Sequence, residues 1–351
     1  MTTRPCRTPD SYFGTSYRAT HKQRGAALLA AMLTVTLVAT IASAAMWQQW
    51  RSVEIESAER ARTQNAWVLA GALDWARLIL REDARSGGGA DDLSEPWAVP
   101  LAESRLSTFL AAADSSASTD TGDSTSESFL SGGISDMQAR LNVMNLVDGN
   151  KINPAGLASF KRLFELLGLS TSELSTLASN LRLSQDTSDE NPAGTQSPLL
   201  PQRLPELAWL GLTPVTIAVL QPYVTMLPGR TPVNLNTASA EVIYAAVAGL
   251  DMARAQRLIS ERERRPFKTL ANATALLTGL TGVELNASEH SVGTRFFEVR
   301  GQLRTPRGVV QEQSLVQRDG LDVRILRRER ITPSLSVTPD ARTSSETQTS
   351  R

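Results

Sequence analysis

Residues 22–47 read KQRGAALLAAMLTVTLVATIASAAMW, and this stretch decides the fold of the chain. Its last 22 residues, from Ala26 to Trp47, include no charged side chain. An α-helix rises about 1.5 Å per residue, so this run would extend roughly 33 Å and cross the hydrocarbon core of a bilayer. Basic residues precede it, and the polar pair Gln48-Gln49 follows it. The stretch therefore predicts a single-pass transmembrane helix with a cytoplasmic N-terminus and the C-terminal bulk on the other side.

Three kinds of N-terminal segment are compatible with this pattern. A cleavable secretory signal would be cut near Ala42-Ser43-Ala44, although the apolar core of such a signal is usually only about 7–15 residues long. A simple signal anchor would remain uncut. In the third kind, which the sequence favours, the basic residues Lys22 and Arg24 are followed by Gly25 and then directly by the apolar helix. This order resembles the leader of type IV prepilin-like proteins.

The resemblance to prepilins implies a specific processing site. A prepilin peptidase would cut between Gly25 and Ala26, so that residues 1–25 form a cytoplasmic leader and residues 26–47 the transmembrane helix. The resemblance also implies N-methylation of Ala26. Prepilins generally carry Glu at the fifth mature position, where this chain has Ala30. A carboxylate in an apolar bundle is costly unless it is paired, so its absence indicates a subunit that needs no such partner.

Composition argues against several other classes of protein. The 36 basic and 36 acidic residues balance, so no overall charge directs the chain to nucleic acid or to an anionic surface. The single cysteine, Cys6, excludes an intramolecular disulfide, and two histidines, His21 and His290, leave little for histidine-based catalysis. The sequence contains no serine-hydrolase elbow, P-loop, zinc-protease or dinucleotide-binding motif where it should lie. We therefore do not expect an enzyme.

A second apolar pattern follows the membrane segment. Residues 48–86 contain no proline, and apolar side chains recur there at spacings of three and four residues, namely at Ala66, Leu69, Leu73, Ala76 and Leu80. This spacing predicts a periplasmic stem helix with one apolar stripe that lies on a sheet, and Gly87-Gly88-Gly89 would end it. A membrane-spanning helix with a coiled-coil neck is the alternative.

The chain as a whole predicts an α+β fold. In it, the long transmembrane and stem helix packs on an antiparallel pilin-like sheet, and a large all-helical domain is inserted between the strands. Residues 87–148 would form the first part of the β domain. They include a helix-like run over 101–110, a solvated loop over 114–128 and a short strand within 134–147.

The remainder of the chain first becomes helical and then returns to strands. Residues 149–290 hold short helices, each broken by Gly or Pro, which predict the helical insert. Residues 291–330 alternate between apolar and polar side chains and predict three returning strands of the β domain. The Ser- and Thr-rich residues 331–351 predict a disordered tail.

Five segments together resemble the K-type minor pseudopilin family of the bacterial type II, or general, secretion pathway. In family order they are RGAALLAAML, DDLSEPWAVPL, ISDMQARLNVMNLV, PVNLNTASAEVIYAAVAGL and GTRFFEVRGQLRTPRGVVQEQSLVQRDGLDVRILRRER. A minor departure is Ala139, where members usually carry Gly. Members of this family lack the Glu of other prepilins and are placed at the filament tip, which agrees with Ala30.

The resemblance implies a role without catalysis. The subunit would start or cap the tip of the periplasmic pseudopilus, which drives export of folded proteins across the outer membrane. Its expected location is the bacterial inner membrane, with the C-terminal bulk in the periplasm. The implied partners are the I- and J-type minor pseudopilins and the rest of the pseudopilus, the prepilin peptidase and the inner-membrane secretion platform. No nucleic acid is expected.

The helical domain of this family often carries an acidic stretch that binds calcium. In this chain the corresponding stretch, SNLRLSQDTSDENPAG, keeps only Asp186, Asp189 and Glu190 as oxygen donors. Calcium takes about six to eight oxygens from a well-shaped loop, and the stretch has no EF-hand spacing. A solvated loop is the favoured interpretation, and a residual calcium site is the alternative. No other cofactor is expected.

The strongest alternative function comes from residues 233–273, which resemble a helix-hairpin-helix module. Thr237 would cap the first helix, Gly249 would end it, and residues 252–264 would form the second helix. DNA-binding versions carry a second Gly where this chain has Asp251, whose carboxylate would repel a phosphate. Candidate phosphate contacts are Arg254, Arg257 and Lys268. The segment is predicted to be a packing module, and a membrane-tethered DNA-binding protein is the alternative.

Overall fold

The computed structural model describes residues 24–87, 89–108, 128–186, 197–277 and 283–331. The chain is divided into two compact units between Gln64 and Asn65, inside the predicted stem. Most of the predicted leader, most of the predicted loop over 114–128 and the predicted tail beyond Ile331 lie outside the described residues.

The second unit contains the sheet, the insert and the second half of α1, which begins in the first unit. The helices are α1 (Arg24–Ser86), α2 (Pro154–Leu166), α3 (Thr171–Gln185), α4 (Pro214–Leu220), α5 (Ala240–Ala246), α6 (Met252–Arg264) and α7 (Leu270–Leu276). Short 3-10 helices cover Pro96–Ala98, Val143–Leu146 and Leu204–Leu210. The strands are β1 (Leu101–Arg105), β2 (Phe129–Asp136), β3 (Leu141–Asn142), β4 (Val147–Asp148), β5 (Lys151–Ile152), β6 (Val224–Thr225), β7 (Val233–Asn234), β8 (His290–Ser291), β9 (Phe296–Thr305), β10 (Gly308–Asp319) and β11 (Asp322–Ile331).

In the first unit, α1 presents apolar side chains that the unit itself does not cover. The large apolar residues over 28–50 are 54% to 75% exposed. Thr34, Thr36 and Thr40 interrupt this run, and each hydroxyl donates a hydrogen bond to the carbonyl three residues earlier, at 2.8 to 3.0 Å. Their polar groups are thus satisfied inside the helix, as lipid requires. Among the described residues, α1 is the one helix long and apolar enough to cross a membrane.

The second unit is built on one antiparallel sheet of five strands in the order β1-β2-β9-β10-β11. β9, β10 and β11 pair in sequence, so the predicted three-stranded meander is confirmed. β2 pairs with β9, from Phe129 opposite Arg304 to Asp136 opposite Phe297. The insert therefore leaves the sheet after β2 and returns in the strand beside it, and the sheet remains continuous.

The second half of α1 lies on one face of this sheet. Leu69, Leu73, Ala76 and Leu80 are at most 5% exposed, and Ala66 is half-buried. They face an apolar layer made of Trp97, Leu130, Phe297, Val299, Leu303, Val316 and Val323. The predicted stripe and its packing on the sheet are confirmed. The helix also ends at Ser86, directly before the predicted glycine stop.

Two local predictions in the β domain need correction. The helix predicted over 101–110 is wrong for its first half, because residues 101–105 form β1 and pair with β2. Cross-strand pairing there overrides local helix propensity. The strand predicted within 134–147 instead begins at Phe129 and ends at Asp136. Beyond it, the Asn142 side chain accepts a hydrogen bond from the backbone N–H of Met144 and caps a 3-10 helix.

Local capping residues define the short helices of the insert. Each of five helices is preceded by a side chain that accepts a hydrogen bond from a backbone N–H in the first turn of that helix. These capping residues are Asn153, Ser170, Thr213, Ser239 and Asp251. Proline begins α2 and α4. At the first position of a helix a backbone N–H has no acceptor within the helix, so the missing N–H of proline costs no hydrogen bond there. The apolar faces of these helices share one core, which includes Phe160, Phe164, Leu177, Leu181 and Ile243. The predicted helical insert is confirmed, with the short strand pairs β3–β6, β4–β5 and β7–β8 added.

Candidate functional site

The predicted processing pair lies at the start of α1. Gly25 and Ala26 are exposed there, and Ala30 is exposed one turn further on. A methyl group on the Cα of Gly25 would meet nothing within 4 Å beyond its own local helix backbone. Folding of the helix therefore does not require glycine at this position. Any requirement for Gly25 has to come from recognition by another molecule.

A buried carboxylate joins the insert to the sheet. Asp136 ends β2 and is 5% exposed. One of its oxygens accepts a hydrogen bond from the backbone N–H of Gln138 at 2.7 Å. The other accepts from Asn234 Nδ2 at 2.9 Å and from the Thr237 hydroxyl at 2.6 Å. Burial raises the pKa of Asp136 despite these donors. The carboxylate thus holds the last residue of the sheet strand against the part of the insert that starts the hairpin.

Replacing Asp136 with Asn should lower the free energy of unfolding by roughly 1–3 kcal/mol at acidic pH, because the amide puts an NH2 group, which cannot accept, where the protonated carboxyl keeps an oxygen facing a donor. The folded pKa of Asp136 lies above its ordinary value of 3.8, so proton binding stabilises the native state fully below that value. This stabilisation is lost as the pH rises through the folded pKa. The advantage of the wild type over Asp136→Asn should therefore shrink from about pH 4 upward.

Urea unfolding of the detergent-solubilised full chain, followed by tryptophan fluorescence at several pH values, measures this difference. A gap between wild type and Asp136→Asn that stays constant or widens as the pH rises would contradict the assignment.

A second buried network ties the end of α1 to the sheet. Arg318 of β10 forms ion pairs with Asp83 of α1, at 2.6 Å, and with Asp91, and these side chains are 10%, 8% and 5% exposed. Glu95 brings a third carboxylate within 4.8 Å of the two aspartates and accepts a hydrogen bond from the Trp97 indole at 2.7 Å. Burial raises the pKa of both Asp83 and Glu95. In the described part of the chain, these three acids are the group arranged to hold a cation, and the Arg318 guanidinium supplies positive charge to Asp83 and Asp91.

Of the three predicted calcium ligands, only Asp186 belongs to the described residues. It follows the last turn of α3, and one of its oxygens accepts a hydrogen bond from Asn150 Nδ2 at 3.1 Å. Asp189 and Glu190 lie outside the described residues. The solvated loop and the residual calcium site therefore both stay predictions.

The hairpin predicted over 233–273 contains α5 and α6, with Gly249 at a φ of +75° between them. The sequence predicted that Thr237 caps α5, and this prediction is wrong. The Thr237 hydroxyl donates its hydrogen bond to Asp136 instead. Ser239 caps α5 instead. Asp251 caps α6 by accepting a hydrogen bond from the backbone N–H of Arg254 at 2.8 Å. Its carboxylate thus occupies the helix N-terminus that a phosphate would need.

The candidate phosphate contacts do not converge on a free site. Arg254 forms an ion pair with Asp251 at 3.4 Å, while Arg257 and Lys268 are exposed. Arg262, on the same helix, is buried and donates hydrogen bonds to the backbone carbonyls of Leu235 and Ala238, both at 2.6 Å. Burial lowers the pKa of Arg262 to about 10. These hydrogen bonds join α6 to the segment before α5 and so stabilise the insert.

Comparison with known proteins gives matches along most of the chain. Two family models, both described as type II secretion system protein K, match residues 139–229 and 233–293. The type II secretion system protein K of Pseudomonas aeruginosa is 30% identical over 299 residues, which are 79% of this chain and 83% of that protein. The chain belongs to the type II secretion system protein K family. The resemblance inferred from the five sequence segments is confirmed.

A solved structure shows that the fold agrees with this family. The crystal structure of the GspK-GspI-GspJ complex from enterotoxigenic Escherichia coli matches with a TM-score of 0.57 and 15% sequence identity, over 79% of this chain and 99% of that chain. The predicted α+β architecture with a helical insert is thus confirmed. One family model also covers the whole hairpin segment, so the hairpin is part of the protein K domain. The DNA-binding alternative gains no support from these comparisons.

Proposed function

We propose that this protein K family member initiates or caps the tip of the periplasmic pseudopilus. The observation that carries the proposal is the insertion of a whole helical domain between β2 and β9, two neighbouring strands of one sheet. The stem and sheet keep the form of a filament subunit, while the insert adds bulk that would leave no room for a subunit above it. Ala30 supports the same position, since an end subunit has no neighbouring amine to meet with a carboxylate.

The proposed partners follow from the same position. The solved complex that this chain resembles contains GspI and GspJ, which supports I- and J-type minor pseudopilins as its neighbours, contacted through the stem helices. The rest of the pseudopilus, the prepilin peptidase and the inner-membrane secretion platform would be further partners. The chain would cross the inner membrane once, with its N-terminus in the cytoplasm and its bulk in the periplasm. The assembled pseudopilus would drive export of folded proteins across the outer membrane.

Assembly would require α1 to exchange lipid for neighbouring helices. Between Ala26 and Trp47 the helix has no charged side chain, and its threonine hydroxyls are bonded within the helix. Leaving the bilayer therefore desolvates no charge. The peptidase would first remove the basic leader, residues 1–25, and Ala26 would be N-methylated. This function needs no catalytic residue and no cofactor, because the protein acts by binding.

The intact mass of the protein isolated from membranes tests the proposal. A mature chain that starts at Ala26 is expected. A start at Ala45 would identify an ordinary exported protein, and an uncut chain would identify a simple membrane anchor. Purified I- and J-type subunits should in addition form a complex with the mature chain, and failure to do so would overturn the tip assignment.

A further inference from the structure

A groove runs between α1 and the edge strand β11 on the face of the sheet that carries the stem. Its volume is about 390 Å³, and it is lined by Ala66, Trp67, Ala70, Glu312, Arg328 and Arg330. The Trp67 side chain is 75% exposed. The small side chains at positions 66 and 70 leave one flank of the indole open. This set of six residues is called the Trp67 groove below.

The edge of the sheet beside the groove is already closed to strand addition at one end. The Arg77 guanidinium donates hydrogen bonds to the carbonyl of Val323 at 2.8 and 3.0 Å, and Arg81 donates to the carbonyl of Leu321 at 3.1 Å. Further along, the pairing register of β11 with β10 shifts at Leu315. Occupied carbonyls and an irregular register both disfavour pairing with another strand. Strand addition is therefore disfavoured at that end of β11, and the groove itself presents side chains to a ligand.

Charge on the groove is positive and partly uncompensated. Arg328 pairs with Glu312 at 2.5 Å, so this pair is neutral. Arg330 is exposed and has no acidic partner among the described residues. Arg81 adds a further basic group along the stem, whereas Arg77 is paired with Asp74. Tryptophan and arginine are both enriched among the residues that carry most of the binding energy of protein interfaces.

We propose that the Trp67 groove binds an acidic segment of a neighbouring filament subunit. A carboxylate of that segment would pair with Arg330, and an apolar side chain would cover the exposed indole of Trp67. Opposite charges steer such a partner and set its register, while burial of the aromatic ring holds it in place. The inference rests on the proposed function, because it assigns a docking surface to the I- or J-type subunits.

Four variants of the full chain in detergent test the groove, and one of them, Trp67→Phe, keeps an aromatic ring at position 67. Arg330→Glu reverses the unpaired charge, and Trp67→Ala removes the aromatic anchor. Arg105→Glu, the matched control, reverses an exposed arginine on β1 at the opposite edge of the same sheet. Binding to purified I- and J-type subunits is measured at low and high ionic strength. Because residues 67, 105 and 330 are all exposed, thermal unfolding should match the wild type.

The two groove variants should differ in how their effects depend on salt. Arg330→Glu is expected to weaken binding about tenfold at low ionic strength, and the effect should fade as salt screens the charges. Trp67→Ala is expected to weaken binding at least about tenfold at both ionic strengths, and Trp67→Phe should retain most of the affinity. Arg105→Glu should bind within about twofold of the wild type.

The outcomes separate this inference from the proposed function. If the wild-type chain binds neither subunit, the tip assignment fails and the groove assignment falls with it. If the wild type binds but both groove variants match it, only the groove assignment is overturned. Vesicles that contain phosphatidylglycerol provide a further arm. If Arg330→Glu abolishes binding to these vesicles but leaves binding to the subunits unchanged, the groove binds a lipid surface instead. Loss of self-association alone in these variants would identify a second copy of this chain.

Discussion

Replacing Gly25 with valine is expected to leave the whole population of the protein at its precursor mass. The peptidase of the proposed pathway would have to accommodate the residue directly before the apolar helix, and a branched side chain there would obstruct cleavage before Ala26. The described part of the fold offers no competing explanation, because a Cβ at position 25 would meet nothing within 4 Å beyond the local helix backbone. Mass spectrometry of the membrane fraction measures the result, and secretion should stop with processing.

Gly71 provides the matched control for this experiment. It also lies in α1, it is exposed, and a Cβ there would likewise meet nothing within 4 Å beyond the local helix backbone. Gly71→Val should therefore be processed to the mature mass like the wild type. Normal cleavage of Gly25→Val would contradict the processing site, and failure of both variants would show that the loss of cleavage is not specific to position 25.

Replacing Arg318 with leucine is expected to lower the free energy of unfolding by about 3–5 kcal/mol. The change would leave the carboxylates of Asp83 and Asp91 buried without their cation. It would also remove the guanidinium that lies 4.8 Å from the centre of the Phe297 ring. Because Asp83 belongs to α1, the loss should free the end of the stem from the sheet. Urea unfolding of the detergent-solubilised full chain, followed by tryptophan fluorescence, measures the effect.

Two further variants show whether the charges cause this loss. Arg324→Leu removes an exposed arginine that pairs with Asp322 at the sheet edge, and it should cost less than about 1 kcal/mol. Adding Asp83→Asn to Arg318→Leu should recover part of the stability, because one of the stranded charges is removed. A loss below 1 kcal/mol for Arg318→Leu, or no recovery in the double variant, would show that the network contributes little.

The elements predicted correctly are those whose signal lies in neighbouring residues. The stripe at Leu69, Leu73 and Leu80 has helical spacing, and its residues are buried as predicted. The strands over residues 296–331 alternate, and they pair as predicted. The cap of α6 by Asp251 likewise depends only on neighbouring residues, because it involves only the first turn of that helix.

The predictions that were wrong concern residues whose structure is decided by distant parts of the chain. Residues 101–105 have a helix-like composition, but they form a strand because their backbone pairs with β2. Thr237 precedes a helix as a cap would, but its hydroxyl reaches a carboxylate 101 positions away. The partners that decide both outcomes come from distant parts of the chain, so local composition carries no signal for them.

The sequence by itself determined that an uncharged apolar run covers residues 26–47, that the helix after it has one apolar stripe, and that strands surround a helical insert. These features follow from hydrophobic spacing along consecutive residues, which chain geometry translates directly into buried and exposed faces. Only the tertiary structure decided that Arg318 neutralises Asp83 across 235 positions and that Trp67 and Arg330 line one groove. Such pairs form when folding brings distant segments together, and their strength depends on the burial that the finished fold provides.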